Sequence, residues 1–398
     1  MTSDDSGNGE TGFVSHLECS ATGARVAAGQ LQGLSAAGAP LLVRYDLPAI
    51  KAATDRQALA ARAFDMWRFR ELLPLASVDD IVSLGETVTP LVVLRRAAAG
   101  GGGEILVKDE GRMPTGSFKA RGIALAISMA KAFGVECVAM PTAGNAGAAI
   151  AAYAAQSGIE AYVFTPADTA EVTVREIAFH GAHLSLVDGI IDACNRAVAD
   201  GMAEMGWFDM STLKEPYRIE GKKTMGLELA EQLGWTLPDV IFYPTGGGTG
   251  LIGMWKGFKE LQALGWITGP LPRMVAVQST GCGPIVRAFE AGADEVAEPW
   301  PDPDTQVHGV RVPKPLGDRL ILSAIRESVG FAVAVDDAAV TAARAEVARE
   351  QGLHLCPEGA ACYAACIQEL ESGRVGAGDR VVLFNTASGL KTPMPAFR

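Results

Sequence analysis

Short apolar runs alternate with amphipathic or alanine-rich segments along most of this 398-residue chain, and this alternation constrains its fold most strongly. Each run has the length of a strand, and each intervening segment has the length of a helix. The candidate strands are Glu136–Met140, Glu160–Thr165, His183–Val187, Asp239–Tyr243, Met274–Gln278, Phe331–Val335 and Arg380–Phe384. Strands that alternate with helices predict parallel sheets with helices on both faces. We therefore expect an α/β fold built from doubly wound, parallel-rich sheets.

Length, charge and hydropathy restrict the class of protein. The chain is long enough for two lobes of ordinary domain size, and no apolar stretch approaches the roughly 20 residues of a membrane-spanning helix. Its formal net charge is −12, which argues against a nucleic-acid partner and against an anionic membrane surface. The first dozen residues are polar and predict a disordered start, with no cleavable signal. A cytoplasmic protein is the expectation.

One lysine stands in a constrained sequence context. The segment Val107–Gly122 (VKDEGRMPTGSFKARG) places Lys119 shortly after an apolar run, Glu104–Val107, that predicts a strand. A lysine that acts as a nucleophile needs a fixed position and surroundings that shift its pKa. The Pro-Thr-Gly turn before it would fix the backbone. Taken alone, the segment fits an exposed loop with ordinary cations equally well, so both interpretations stay open at this point.

Two further segments have the order strand, glycine turn, helix. Pro141–Gly147 (PTAGNAG) precedes the alanine-rich helix Ala148–Gln156, and Pro244–Gly250 (PTGGGTG) follows the apolar run Val240–Tyr243. Both turns place backbone N–H groups at a helix N-terminus, where they can hold an anion. The second turn lacks the Lys-Ser/Thr of a nucleotide-binding loop and an acidic residue at dinucleotide spacing, so a monophosphate is the better prediction. For the first turn, an ordinary connection whose glycines serve tight packing is the alternative.

Together these segments resemble the fold type II family of pyridoxal-phosphate enzymes, and within it the threonine synthase branch. The motifs that carry the resemblance follow the family order and are SLGETVTPL (Ser83–Leu91), PTGSFKARG (Pro114–Gly122), TAGNAG (Thr142–Gly147), EPYRIEGKKT (Glu215–Thr224), PTGGGTG (Pro244–Gly250) and NTASGLK (Asn385–Lys391). Any one motif is weak evidence, but all six occur in the order of the family. The resemblance extends over almost the whole chain.

The resemblance implies a division of the chain into an amino-terminal extension and two lobes. Residues 1–83 would form the extension and pack on the large lobe. Residues 84–121 and 212–398 would form the large lobe, which binds the cofactor. Residues 122–211 would form a small mobile lobe that closes over substrate. A homodimer is a further family expectation.

The resemblance also assigns roles to single residues. Lys119 would hold pyridoxal 5′-phosphate as a Schiff base and then act as the acid–base group. The cofactor phosphate would be bound by Gly246, Gly247, Gly248 and Thr249. Asn145 would contact the ring hydroxyl of the cofactor, and Thr386, with Ser388 as the fallback, would contact its pyridine nitrogen. The substrate carboxylate would be bound by the amides around Thr142, Ala143 and Gly144. A neutral hydroxyl cannot stabilise a protonated pyridine ring as an aspartate would. Elimination and replacement are then favoured over transamination.

The identity of the substrate depends on the stretch Met210–Arg218 (MSTLKEPYR). A threonine synthase takes O-phosphohomoserine, whose phosphate is a second dianion, and the resemblance places Ser211, Lys214 and Arg218 at that phosphate. The stretch lacks the asparagine typical of the family and is one residue longer. Ala120 stands where threonine synthases often have aspartate. A structural ion pair between Arg218 and Glu215 or Glu220 is the alternative role for this arginine.

These departures leave three functions to compare. Threonine synthase is the favoured prediction, with a small and phosphorylated amino acid as substrate. β-Elimination or β-replacement on a β-substituted alanine is the alternative, as in threonine dehydratase, diaminopropionate ammonia-lyase or cysteate synthase. A non-catalytic protein that binds pyridoxal phosphate is the remote alternative, and the presence of Lys119, Asn145 and Thr386 argues against it.

The seven cysteines predict reduced thiols and no metal site. One cluster has a spacing that fits no standard zinc site, namely His354, Cys356, Cys362 and Cys366. Near the amino terminus, residues 19–38 look like the remnant of the paired cysteine knuckles of some relatives, but only Cys19 is retained. No metal is expected at either place.

Overall fold

The computed structural model describes residues 12–95, 103–142, 144–189 and 191–394. Residues 1–11 of the predicted disordered start therefore lie outside the described residues. Ala143, expected at the substrate carboxylate, lies outside them too.

The strands of the described residues are β1 Val14–Cys19, β2 Arg25–Val26, β3 Leu41–Tyr45, β4 Leu91–Val93, β5 Glu104–Asp109, β6 Cys137–Pro141, β7 Glu160–Pro166, β8 His183–Val187, β9 Phe208–Asp209, β10 Val240–Pro244, β11 Arg273–Ser279, β12 Phe331–Val335 and β13 Arg380–Asn385. The α-helices are α1 Leu47–Ala53, α2 Arg56–Ala60, α3 Lys119–Ala132, α4 Asn145–Ser157, α5 Glu171–Phe179, α6 Ile191–Met205, α7 Tyr217–Gln232, α8 Thr249–Leu264, α9 Pro284–Glu290, α10 Asp318–Glu327, α11 Asp337–Gln351 and α12 Pro357–Glu371. Short 3-10 helices cover Met66–Leu72, Val78–Asp80, Glu110–Arg112, Pro114–Gly116, His308–Val310 and Gly389–Lys391.

The chain divides into two compact units. Unit 1 consists of Met1–Thr87, Lys119–Thr224 and Glu260–Trp266, and unit 2 consists of Val88–Phe118, Met225–Lys259 and Ile267–Arg398. The amino-terminal segment up to Thr87 belongs to the same unit as Lys119–Thr224. Two hydrogen bonds connect these segments within unit 1: Tyr45 donates to Glu220 at 2.8 Å, and Tyr153 donates to Glu86. The predicted division into an extension, a large lobe and a small mobile lobe over 122–211 stays a prediction.

Unit 2 is built on a six-stranded sheet of order β12-β11-β10-β13-β5-β4. All neighbouring strands are parallel except β4, which pairs antiparallel with β5. Both faces of such a sheet must be covered by helices, and its strands are accordingly rich in buried Val, Ile and Phe. The carboxyl ends of three adjacent strands, β10, β13 and β5, are Pro244, Asn385 and Asp109. This is the edge at which open parallel sheets bind ligands.

Unit 1 contains a four-stranded parallel sheet of order β8-β7-β6-β9 and a separate antiparallel sheet of order β2-β1-β3. The parallel sheets of both units confirm the predicted α/β class. The small antiparallel sheet was not predicted, since β1 and β2 are short and only partly buried.

Candidate active site

The glycine turn of unit 2 is shaped to hold a small anion. It connects β10 to the 16-residue helix α8, which begins at Thr249. Within the described residues, the amides of Gly246, Gly247 and Gly248 donate to no protein acceptor. A Cβ atom at position 246 would lie 2.5 Å from the Gly309 carbonyl oxygen, and Gly248 has a φ of 74°. The turn therefore needs its glycines, and its free N–H groups at a helix N-terminus suit a phosphate.

Thr386 follows directly on β13 at the same edge of the sheet, and its side chain is buried. Among the described residues, the hydroxyl of Thr386 has one hydrogen-bond partner, the Cys356 thiol, at 3.9 Å. The fallback residue Ser388 uses its hydroxyl locally, where it accepts the Leu390 N–H and caps a short 3-10 helix. Because the Thr386 hydroxyl retains hydrogen-bonding capacity in a buried position, Thr386 is the better candidate for the pyridine nitrogen.

The turn before Lys119 is strained and anchored to the loop after β13. Thr115 has a φ of 57°, which is unfavourable for a β-branched residue, and Gly116 has a φ of 65°. The Gly116 carbonyl accepts the Ser388 N–H at 2.8 Å, and the Phe118 amide donates to the Thr386 carbonyl at 2.9 Å. The chain is thus tied to Thr386 at the residue that precedes Lys119, and the backbone position of the lysine is fixed.

Ser117 lies in the same turn and was not singled out from the sequence. It is fully buried, and its Oγ atom has no hydrogen-bond partner among the described residues. A buried hydroxyl without a partner costs free energy, and such groups in native structures point to a ligand or a functional role. Its place two residues before Lys119 is the signal that could have identified it.

Lys119 is the first residue of α3, and unit 1 places this helix in close contact with α7. A Cβ atom at Gly122 would lie 2.9 Å from the Arg218 carbonyl oxygen, and one at Gly221 would clash with the backbone of Arg121. Only glycine at both positions allows the two backbones to approach so closely. The orientation of α3, and with it that of Lys119, is therefore set by this helix pair.

In the other glycine turn, between β6 and α4, some residues are engaged in contacts within the protein and one, Asn145, is available for a ligand. The Thr142 hydroxyl accepts the Gly144 N–H at 3.1 Å, so part of the turn is satisfied internally. A Cβ atom at Gly147 would lie 2.6 Å from Ile177, which means that this glycine serves packing, as the alternative interpretation proposed. Asn145 is half-buried at the start of α4, and its amide group forms no hydrogen bond within the described residues. Asn145 remains available for a ligand.

Two of the residues expected at the substrate phosphate, Ser211 and Lys214, lie around the carboxylate of Asp209 at the end of β9. The Ser211 hydroxyl and the Ser211 N–H both donate to Asp209, the latter at 2.9 Å. Lys214 also pairs with Asp209, with an Nζ–Oδ2 distance of 2.9 Å. Ser211 and Lys214 are therefore held close together by an acidic residue that the sequence analysis did not identify.

Arg218 is buried on α7, and its guanidinium is incompletely satisfied. Its Nη1 donates to the Met210 carbonyl at 2.9 Å, while its Nε has no acceptor in the described part of the chain. Within the described residues the Arg218 guanidinium forms no ion pair with Glu215 or Glu220, but the charges of Arg218 and Glu215 each influence the pKa of the other. The structural role of Arg218 stays an alternative prediction. Glu215 caps α7 by accepting the backbone N–H of Arg218 and of Tyr217. Burial raises the pKa of the Glu215 carboxyl to about 7, against the lowering influence of Arg218.

The carboxyl-terminal cysteines are packed as core residues. Cys356, Cys362 and Cys366 are buried free thiols, and burial raises the pKa of each well above the ordinary value. Cys356 also caps α12, since its sulfur accepts the Gly359 N–H at 3.3 Å. Across the described ranges, no group of His, Cys, Asp and Glu side chains is arranged to hold a metal ion.

The side chains present fit pyridoxal 5′-phosphate. The glycine turn offers unpaired amides for a phosphate, and Thr386 offers a neutral buried hydroxyl for a ring nitrogen. A match to a family model decides the question: residues 82–387 match the family described as pyridoxal-phosphate dependent enzyme. The chain belongs to this family. The match spans all the motifs from Ser83 to the start of NTASGLK.

Threonine synthases are among the family members that this chain resembles, which confirms its assignment to their branch. It is 34% identical over 365 residues to a threonine synthase of Methanocaldococcus jannaschii, which covers 91% of this chain and 89% of that protein. The identity to a threonine synthase of Mycobacterium bovis is 34% over 331 residues, covering 83% and 89%. One from Halalkalibacterium halodurans is 32% identical over 329 residues, covering 82% and 89%.

Solved structures of this family show the same fold. Maize serine racemase superposes with a TM-score of 0.64 at 23% identity, covering 76% of this chain and 89% of that chain. The processed form of threonine deaminase isoform 2 from Solanum lycopersicum gives a TM-score of 0.64 at 20% identity, covering 84% and 85%. No helix in the described part of the chain is both long and apolar enough to span a membrane.

Proposed function

We propose that this protein is a threonine synthase that converts O-phosphohomoserine and water to threonine and phosphate. The observation that carries the proposal is the similarity to threonine synthases over nine-tenths of the chain, with a buried and incompletely satisfied arginine, Arg218, in the predicted phosphate-binding stretch. The solved structures named above are under 25% identical and show the fold alone, so neither serine racemisation nor threonine deamination is proposed for this chain.

The roles proposed for the cofactor-binding residues follow from their chemistry. When bound, pyridoxal 5′-phosphate supplies an electron sink that weakens the bonds around the substrate α-carbon. Lys119 carries the cofactor on Nζ and then takes and returns protons at that nitrogen. The N–H groups of Gly246–Gly248 and the Thr249 hydroxyl hold the phosphate. The Thr386 hydroxyl donates to the ring nitrogen and keeps it neutral, and Asn145 donates to the ring hydroxyl.

The roles proposed for the substrate-binding residues follow in the same way. The amides of the turn at Thr142 and Gly144 orient the substrate carboxylate. Arg218 binds the substrate phosphate through two parallel N–H···O hydrogen bonds, with Ser211 and Lys214 completing the donor set. Neutralising this dianion stabilises the phosphate as it leaves Cγ. Closure of the small lobe then excludes water until the hydroxyl is added at Cβ. We further propose that the enzyme is a cytoplasmic homodimer.

A substrate panel tests this function. Purified holoenzyme is mixed separately with O-phosphohomoserine, threonine, O-phosphoserine and diaminopropionate, and phosphate, ammonia and keto acid are measured. We expect phosphate release from O-phosphohomoserine with no keto acid. Release of ammonia and keto acid from threonine or diaminopropionate, with no turnover of O-phosphohomoserine, would establish the β-elimination alternative. Arg218→Lys separates the two as well, since loss of the planar fork abolishes most activity only when the substrate carries a phosphate.

A further inference from the structure

Asp209 holds the residues that the proposed reaction assigns to the substrate phosphate. Its side chain is 9% exposed and accepts from the Ser211 N–H at 2.9 Å, from the Ser211 hydroxyl and from the Lys214 ammonium at 2.9 Å. A carboxylate that collects three donors, one of them cationic, has the hydrogen-bond pattern of an anion bound in an anion site.

Arg218 is within the electrostatic range of this carboxylate. Its Nη1 donates to the Met210 carbonyl, one residue after Asp209, at 2.9 Å. Burial lowers the pKa of the Arg218 guanidinium, and the negative charges of Glu215 and Asp209 oppose that lowering. The Nε atom nevertheless has no acceptor among the described residues. The Asp209 charge thus partly offsets that of Arg218 without satisfying its donors.

The turn that brings these donors together is strained. Leu213 has a φ of 66°, although a bulky side chain disfavours the left-handed region. The Lys214 amide donates to the Ser211 carbonyl at 3.1 Å, which closes the turn and directs both residues to Asp209. Strain of this kind persists where the surrounding contacts demand it, and it is concentrated at ligand sites.

We propose that Asp209 is an internal placeholder anion: it engages Ser211 and Lys214 in the free enzyme, and the substrate phosphate displaces it from them. The proposal rests on the proposed function for the identity of the substrate. A phosphate monoester carries nearly two charges and three acceptor oxygens, whereas Asp209 carries one charge and two oxygens. A substrate with a phosphate dianion can therefore displace Asp209 from the donors of Ser211 and Lys214. A substrate whose side chain is neutral or singly charged cannot. Asp209 thereby makes the site selective for phosphorylated amino acids, because a substrate without a phosphate leaves Asp209 bound to Ser211 and Lys214.

Binding of inorganic phosphate to the holoenzyme tests the proposal. Asp209→Asn keeps an oxygen for the Ser211 N–H but removes the charge that holds Lys214 and repels a dianion. We expect the variant to bind phosphate about tenfold more tightly by calorimetry, with the inhibition constant of phosphate against substrate lowered by the same factor. Asp200→Asn, on the exposed face of α6, is the matched control and should leave both values unchanged. Unchanged or weaker phosphate binding in Asp209→Asn would mean that Asp209 only holds the loop, and would overturn the proposal.

A second variant covers the case in which Asp209→Asn does not fold. Lys214→Met removes the cation but preserves the length of the side chain, and we expect at least tenfold weaker phosphate binding; an unchanged affinity would overturn the proposal equally. The two proposals fail separately. If O-phosphohomoserine yields no threonine while Asp209→Asn tightens phosphate binding, the proposed function falls and the placeholder stands. If threonine forms and the affinity for phosphate does not rise, the placeholder falls alone.

Discussion

The sulfur of Cys356 lies 3.9 Å from the hydroxyl oxygen of Thr386, and both side chains are buried. Burial raises the pKa of the Cys356 thiol, so it stays neutral and can act as a weak donor. A thiol that donates to the Thr386 oxygen leaves the hydroxyl proton free for a ring nitrogen. We therefore expect the Thr386 hydroxyl to act as a hydrogen-bond donor to the cofactor, in addition to filling space in the core.

Replacement of Thr386 by Val tests that role. The two side chains are nearly isosteric, so the fold should be retained while a buried hydrogen bond of about 1–3 kcal/mol is lost. We expect a roughly 10- to 100-fold decrease in kcat and a changed absorption spectrum of the bound cofactor. Ser388→Ala is the control, because its hydroxyl caps a local turn. Wild-type turnover and spectrum in Thr386→Val would transfer the role to Ser388.

Lys119 is expected to be the lysine that borohydride reduction labels. The turn at Thr115–Phe118 fixes its backbone, whereas Lys108 is bound at 2.9 Å to Glu228 and Lys223 at 2.6 Å to Glu220 in buried ion pairs. Reduction of the holoenzyme should bleach its colour and leave a pyridoxyl group on the Lys119 peptide, as detected by mass spectrometry. A label on Lys108, Lys222 or Lys223 would refute the assignment.

The close contact between α3 and α7 predicts a large effect of a single methyl group. In Gly221→Ala the new Cβ would lie 2.8 Å from the Arg121 carbonyl carbon, so the helices must separate. We expect a loss of about 1–3 kcal/mol of unfolding free energy in urea denaturation, with weaker cofactor binding as α3 shifts. Gly269→Ala has open space around it and should be neutral. Equal stability of the two variants would show that the helix pair accommodates the methyl group.

The buried Glu215 carboxyl predicts a pH dependence of stability. Its pKa is about 7 in the folded protein, mainly because of burial, compared with about 4.3 in an unfolded chain. Between these values the folded state keeps a proton that the unfolded state has released. The unfolding free energy should therefore fall as pH rises from about 4.5 to about 7, by on the order of 1–3 kcal/mol.

Glu215→Gln cannot titrate and retains an oxygen for the amides of Tyr217 and Arg218. The fall in stability over this pH range should be absent from its urea denaturation curves at pH 5, 6 and 7. The exposed Glu204→Gln should keep the wild-type profile. Parallel profiles for all three proteins would contradict the raised pKa.

The sheets could be predicted from the sequence because hydrophobic runs mark buried parallel strands. His183–Val187 and Phe331–Val335 coincide with β8 and β12, and the other predicted strands overlap the observed ones with ends shifted by one or two residues. The amino-terminal strands were missed, since β1 and β2 are short and only partly buried. The packing of that segment depends on contacts with distant residues, such as the hydrogen bond from Tyr45 to Glu220.

The candidate site was predictable where backbone chemistry defines it. The glycine turn at Gly246–Gly248 requires glycine and precedes a helix, and both features can be recognised in the sequence. The partners of side chains could not be predicted in this way. Asp209 contacts Lys214 across a turn in which Leu213 is left-handed, and Cys356 contacts Thr386 across 30 residues of chain. Such contacts depend on the packed fold.

The reaction of O-phosphohomoserine in water labelled with oxygen-18 tests the central claim most directly. A threonine synthase breaks the Cγ–O bond and adds water at Cβ. We therefore predict equimolar threonine and phosphate, with one labelled oxygen in the threonine hydroxyl and none in the phosphate, as measured by mass spectrometry. Labelled phosphate accompanied by homoserine, or no reaction of O-phosphohomoserine at all, would contradict it.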